Sequence, residues 1–151
     1  MHAHHNEFIR YLHGREDDRI IVTFGEIDVR EHIVRKSQEE CITVAELCEA
    51  TAESFVKYIA SLRETYDISV LCVVPPGDAD NPKWFKGEYL RRKHATELLN
   101  ARYRYWCDKL SVPFIDIYDK LVDKHGHRRS DLVIDMTHLG SITHTIDGVI
   151  E

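Results

Sequence analysis

Hydrophobic and polar positions alternate in blocks that mark out strands and helices. Ile20, Ile21, Val22, Thr23 and Phe24 form a continuous apolar, β-rich run that stops at Gly25. Such a run predicts a strand covered on both faces in a parallel sheet. Thr43 and Glu46 then make a T-x-x-E capping box, after which Val44, Cys48, Ala52, Phe55, Ile59 and Leu62 recur at helical spacing. That pattern predicts a helix of about 22 residues with one apolar stripe. Ile68 to Val74 repeats the buried-strand pattern and ends at Pro75-Pro76-Gly77, where proline removes the amide donor a central ladder needs. From Gly87 to Leu110 a second helical period runs through Leu90, His94, Leu98, Ala101, Tyr105 and Leu110, with Arg91, Arg92, Glu97 and Arg104 on the expected solvent side. Val112 to Tyr118 reads as a third strand, polar only at Asp116, and Asp119 to Arg129 is charged and turn-like around Gly126. The short apolar run Leu132 to Ile134 leads into Asp135-Met136-Thr137-His138.

Strand, helix, strand, helix, strand is the order of right-handed βαβ crossovers, so the strands are expected to be parallel and in one sheet. The expected organisation is a polar, frayed N-terminal segment over residues 1–18 and an α/β domain over 19–151. Ligands of such sheets bind beyond the carboxyl ends of the strands. Here those ends are Gly25 to Arg30, the Pro75 loop and the segment after Tyr118.

Composition narrows the function classes. Lys plus Arg number 20 against 26 for Asp plus Glu, a net charge of -6 with the two signs interspersed, so no nucleic-acid partner is expected. No apolar run approaches the ~18 residues of a membrane span and no charged-then-apolar leader opens the chain. A cytoplasmic protein with no membrane partner is the expectation. Cys41, Cys48, Cys72 and Cys107 contain no C-x-x-C pair and are expected as free, mostly buried thiols. The histidines match no common zinc spacing: His2, His4 and His5 fall in the frayed segment, and His125, His127, His138 and His144 form no ligand pattern. Neither a metal nor another cofactor is expected. Most aromatic residues fall at helical spacings and are expected to pack, Trp84 and Phe85 beside the Pro75 loop being the exceptions.

Asp135 and His138 are spaced so that one turn can set a carboxylate against one imidazole nitrogen. That fixes the tautomer and leaves the other nitrogen as a proton acceptor, the orienting half of a catalytic triad. Chance alone supplies about one D-x-x-H in such a composition, so the weight lies on its place after the last strand. There the chain resembles the SGNH (GDSL-type) hydrolases, which carry an Asp-x-x-His near the C-terminus as orienter and base. Phe24-Gly25-Glu26-Ile27-Asp28 is similar to that family's Gly-x-Asn-Asp block at a strand end, with Gly25 and Asp28 matching and Ile27 in place of the oxyanion-binding Asn. With Arg30 added, the segment also resembles a variant block of family members associated with surface-glycan chemistry. The Gly-Asp-Ser nucleophile block and the oxyanion-glycine block are absent from residues 1–19.

The resemblance spans about residues 19–145 and implies a flavodoxin-like, three-layer parallel-sheet sandwich of which only the last three strands correspond, the first strands lacking. It implies catalytic roles for Asp135 and His138 and a ligand-binding role for Gly25, Glu26, Asp28 and Arg30. Two functions follow as expectations. One is an ester hydrolase or acyl transferase acting on a small-molecule or carbohydrate ester, its serine supplied by another chain or another position. The alternative is a non-catalytic binding or interaction module, a truncated or degenerate remnant, since without an attacking oxygen His138 has no proton to remove. A fragment of a longer catalytic protein is a third reading. In a 2-1-3-4-5 sheet, strand Ile20 to Phe24 would become an edge, and an apolar edge calls for a cover. Residues 1–18 or a second copy, giving a homodimer, are the expected covers.

Overall fold

The computed structural model describes residues 8–78 and 86–133. Its sheet contains β1 (Arg19–Val22), β2 (Asp67–Leu71) and β3 (Phe114–Ile115) in the order β1-β2-β3. Both pairings are parallel, in register from Arg19↔Asp67 to Val22↔Val70 and from Val70↔Phe114 to Leu71↔Ile115. The chain is therefore an α/β parallel-sheet fold, with β1 at an edge of the three strands. After β1 comes a helical stretch that includes a π-helix (Asp28–Ile33) and continues into α1 (Val34–Glu39). Then follow α2 (Val44–Leu62), α3 (Tyr89–Leu110), the short α4 (Tyr118–Leu121) and a 3-10 turn (Ser130–Leu132). No described helix is long and apolar enough to cross a membrane.

Helix α2 begins where the capping box predicts. The Thr43 hydroxyl accepts the Glu46 N–H at 3.1 Å, and the Glu46 carboxylate accepts the Thr43 N–H at 2.9 Å, satisfying two donors that a helix start leaves orphaned. Its buried stripe is Cys48, Ala52, Val56 and Ile59, which packs with Val22, Ile68 and Val70 of the sheet and with Ala95, Leu99, Tyr103 and Cys107 of α3. Each wholly buried Val or Ile contributes ~1.5–3 kcal/mol through burial of its side chain. The opposite sheet face has a smaller cluster of Leu71, Cys72, Ile117 and Leu121, with Ile21, Ile115 and Leu132 against it.

Several expectations are corrected. Residues 8–12 form a helical turn rather than a frayed end: Leu12 is buried in the main core, and the Phe8 ring meets Phe24 edge-on at 6.0 Å. Residues 26–39 are helical rather than a strand-end loop. All three strands are shorter than their apolar runs, and beyond β2 the Val73 main chain finds a side-chain partner instead of a neighbouring strand. On α3 the expected stripe is displaced: Leu90 is 72% exposed and Tyr105 49% exposed, whereas Arg92 is wholly buried. The face turned inward carries Arg92, Thr96 and Asn100 between Ala95, Leu99 and Tyr103. These polar groups are admitted because main-chain groups of the segment after β2 need partners.

The cysteines are free: Cys48, Cys72 and Cys107 are buried and Cys41 is exposed. Burial pushes the Cys48 and Cys107 thiols up to about 12 and Cys72 to about 11, so near pH 8 they stay protonated and unreactive. Titration of the native protein with a disulfide reagent is expected to show one fast thiol, lost in Cys41→Ser, and four after unfolding. Thr43→Ala is expected to lower stability by ~1 kcal/mol in chemical denaturation.

Candidate functional site

The rim beyond β1 starts with a turn that requires glycine. Gly25 has φ +110°, and a Cβ built there would lie 2.8 Å from both Leu99 Cδ2 and Val73 Cγ2. The missing side chain lets the chain turn directly on α3 and on the end of β2. The Gly25 carbonyl accepts the Val29 N–H at 2.9 Å, and the helical stretch opens. Within it Arg30 Nε donates to Glu26 Oε1 at 2.8 Å and Arg30 Nη1 to Glu31 Oε1 at 3.0 Å. The Arg30 side chain is 18% exposed, so the pairs are less screened by solvent than surface pairs. The Arg30 carbonyl accepts the Lys86 N–H at 2.8 Å. Asp28 is half-buried near Tyr103, whose phenol is pushed above its ordinary value by burial first and by the Asp28 carboxylate second.

The rim beyond β2 is held by the polar face of α3. Asn100 Oδ1 accepts the Val73 N–H at 2.7 Å and Asn100 Nδ2 donates to the Val73 carbonyl at 2.9 Å, replacing what a strand neighbour would supply. One turn nearer the N-terminus, the Thr96 hydroxyl donates to the Arg92 carbonyl at 3.0 Å. Arg92 Nη2 donates to the Gly77 carbonyl at 3.0 Å, and its Nη1 donates to the Gly87 carbonyl. One buried guanidinium thus ties Gly77 to Gly87 within the connection between β2 and α3. Pro75, Pro76 and Gly77 are buried as a result.

These two rims face each other across a cavity of about 10 Å³ lined by Glu26, Val29, Arg30, Val74, Pro76, Gly77, Arg92 and Thr96. That is room for about one water. Of the expected rim residues, Glu26 and Arg30 line the cavity, Gly25 packs on Val73 and Leu99 nearby, and Asp28 stands in the same helical stretch without lining the cavity. Asp135 and His138, with Trp84 and Phe85, lie outside the described residues.

Beyond β3, the Tyr118 N–H donates to Asp116 Oδ1 at 3.0 Å. The Tyr118 hydroxyl is buried with no hydrogen-bond partner among the described residues, and burial, ahead of the Glu97 carboxylate, raises its phenol above the usual range. The following turn is pinned by Asp123 Oδ1, which accepts the His125 and His127 N–H groups at 2.8 and 3.0 Å. Those amides, the His127 one foremost, hold the Asp123 carboxyl below its ordinary value. The His127 ring stacks on Tyr89 at 5.3 Å, joining this turn to the start of α3.

No described serine lines the cavity. Ser37 and Ser61 donate to the Val34 and Tyr58 carbonyls, Ser69 is buried in β2, and Ser111 ends α3. Ser54 is exposed on α2 and Ser130 at the start of the 3-10 turn. No protein-family model matches the chain, and no curated protein matches it.

Arg92, Thr96 and Asn100 are the site-shaping residues that the hydropathy pattern assigns to solvent or passes over. Their mutual spacing of four was the available signal. Asn100→Leu is expected to cost ~2–4 kcal/mol in chemical denaturation by stranding two buried main-chain groups at Val73. Gly25→Ala is expected to cost about 2 kcal/mol, since the new Cβ meets two packed side chains at a positive φ.

Proposed function

We propose that the chain is an SGNH-like α/β module that binds a small polar ligand of the acylated-carbohydrate class at the strand-end rim and does not cleave it unaided. The observation that carries this reading is the strand-end rim on which Glu26 and Arg30 stand with no described serine beside them; the cavity beneath holds about one water, so the ligand rests on the rim and not inside it. The partly buried Glu26 carboxylate and Arg30 guanidinium suit the hydroxyl and carbonyl groups of such a ligand. Buried free thiols at Cys48, Cys72 and Cys107 support a reducing, cytoplasmic setting.

The placement of Asp135-x-x-His138 after β3 favours a second reading, an ester hydrolase or acyl transferase. There Asp135 orients His138, His138 accepts the proton of a serine hydroxyl as its oxygen attacks the ester carbonyl, the ester's alcohol leaves with that proton, and water or a second alcohol then releases the acyl group from the serine. The serine comes from another chain or from an unassigned position of this one.

Labelling with a fluorophosphonate, which modifies activated serines, separates the two. The binding-module reading expects no labelling of the wild-type chain and weaker binding of an acetylated monosaccharide by Arg30→Gln, read as lost amide-shift changes. Labelling abolished by His138→Ala, with the fold intact by circular dichroism, would establish the enzyme instead.

A further inference from the structure

The guanidinium of Arg30 is held between two carboxylates. Its Nε donates to Glu26 Oε1 at 2.8 Å and its Nη1 to Glu31 Oε1 at 3.0 Å. The side chains of Arg30, Glu26 and Glu31 are 18%, 32% and 27% exposed, so the trio is partly sheltered from solvent yet reachable from the rim. Glu26 and Arg30 line the cavity there, and Glu31 does not. Arg92, the other cation of that lining, is wholly buried and donates to the Gly77 and Gly87 carbonyls. Lys86 meets the stretch through its main-chain N–H, Arg35 pairs with Glu39, and Asp28 adds a third carboxylate. Arg30 is therefore the cation of the lining that a ligand resting on the rim can meet.

A phosphate or carboxylate binds a guanidinium best through two parallel N–H donors. The fork has two edges that offer such a pair, Nε with one Nη and the two Nη together. On Arg30 each of them includes a nitrogen that already donates to a carboxylate. An incoming anion would have to displace that carboxylate and then stay beside it, where like charges repel across a short, partly sheltered gap. A neutral hydroxyl or carbonyl needs a single donor and meets no such repulsion. We propose, taking the rim as the binding site for acylated carbohydrate, that Glu26 and Glu31 bar anionic ligands and that Glu31 is a specificity-determining residue acting through Arg30. The ligand selected is an uncharged acylated sugar rather than a phosphorylated or acidic one.

Amide-shift titrations of the full chain with N-acetylglucosamine, its 6-phosphate and inorganic phosphate test this. Wild type is expected to shift around Arg30 with the neutral sugar and to bind both phosphate-bearing probes about tenfold more weakly or worse. Glu31→Gln keeps the shape and removes the charge. It is expected to strengthen both phosphate-bearing probes by about tenfold, with the gain fading as salt rises, and to leave the neutral sugar within about twofold. Glu53→Gln, which changes the net charge equally at the Lys57 pair on α2, is expected to alter none of the three. If Glu31→Gln fails to fold by circular dichroism, the wild-type discrimination decides. Equal binding of the neutral and phosphorylated sugars by wild type, no gain in Glu31→Gln, or an equal gain in Glu53→Gln would each overturn the proposal. Absence of neutral-sugar shifts in wild type, with phosphate still gained by Glu31→Gln, would instead sink the carbohydrate site and leave the exclusion of anions by Glu31 supported.

Discussion

The chain after β2 must leave the sheet without leaving its main-chain polar groups stranded, and Asn100 resolves this. By taking both the N–H and the carbonyl of Val73, the amide acts as a one-residue strand partner inside the core. A buried main-chain group without a partner costs ~1–3 kcal/mol, so the pairing sets where β2 ends and where α3 lies against it. Gly25 then has its place as well, because its missing Cβ is filled by Val73 and Leu99. The segment after β1, the segment after β2 and the middle of α3 therefore meet at one point.

From that point the rim is built outward. Arg92 extends the same helix face and gathers the Gly77 and Gly87 carbonyls, so the walls of the cavity depend on a cation placed where an apolar residue would ordinarily pack. A buried guanidinium is weak evidence of stabilisation, because its desolvation offsets its hydrogen bonds. What it supplies here is geometry: Gly77 and Gly87, ten positions apart, are held on one side chain. The Glu26–Arg30–Glu31 pairs give the facing wall a comparable order within a single helical stretch.

How much of this was legible in the sequence differs by element and for physical reasons. The start of α2 was readable because a capping box is local chemistry among Thr43, Val44, Ala45 and Glu46. The three parallel strands were readable because their apolar runs are continuous, although the runs overshoot where Asn100 replaces a strand. The buried face of α3 was not readable from hydropathy, since Arg92, Thr96 and Asn100 are satisfied by main-chain groups distant in sequence. The helical stretch after Gly25 was hidden by the glycine itself, which resembles the end of a strand and the start of a loop. Gly25, Glu26 and Arg30 were legible as rim residues from their place after β1, whereas the other half of the expected constellation, Asp135 and His138, lies outside the described residues.

The π-helical turn at Asp28–Ile33 has a consequence for how this segment tolerates change in length. Such turns hold one more residue than the α-helical ladder accommodates, and they recur at functional sites. Removing a single residue there would let the ladder close in its commoner form, and the side chains beyond the excision would keep their present faces, because the wide turn takes up the surplus residue locally. Val34 would stay inward against Gly87. A deletion that would turn an uninterrupted helix by about 100° is thus absorbed in this segment, and the face of α1 that meets the core is insulated from it.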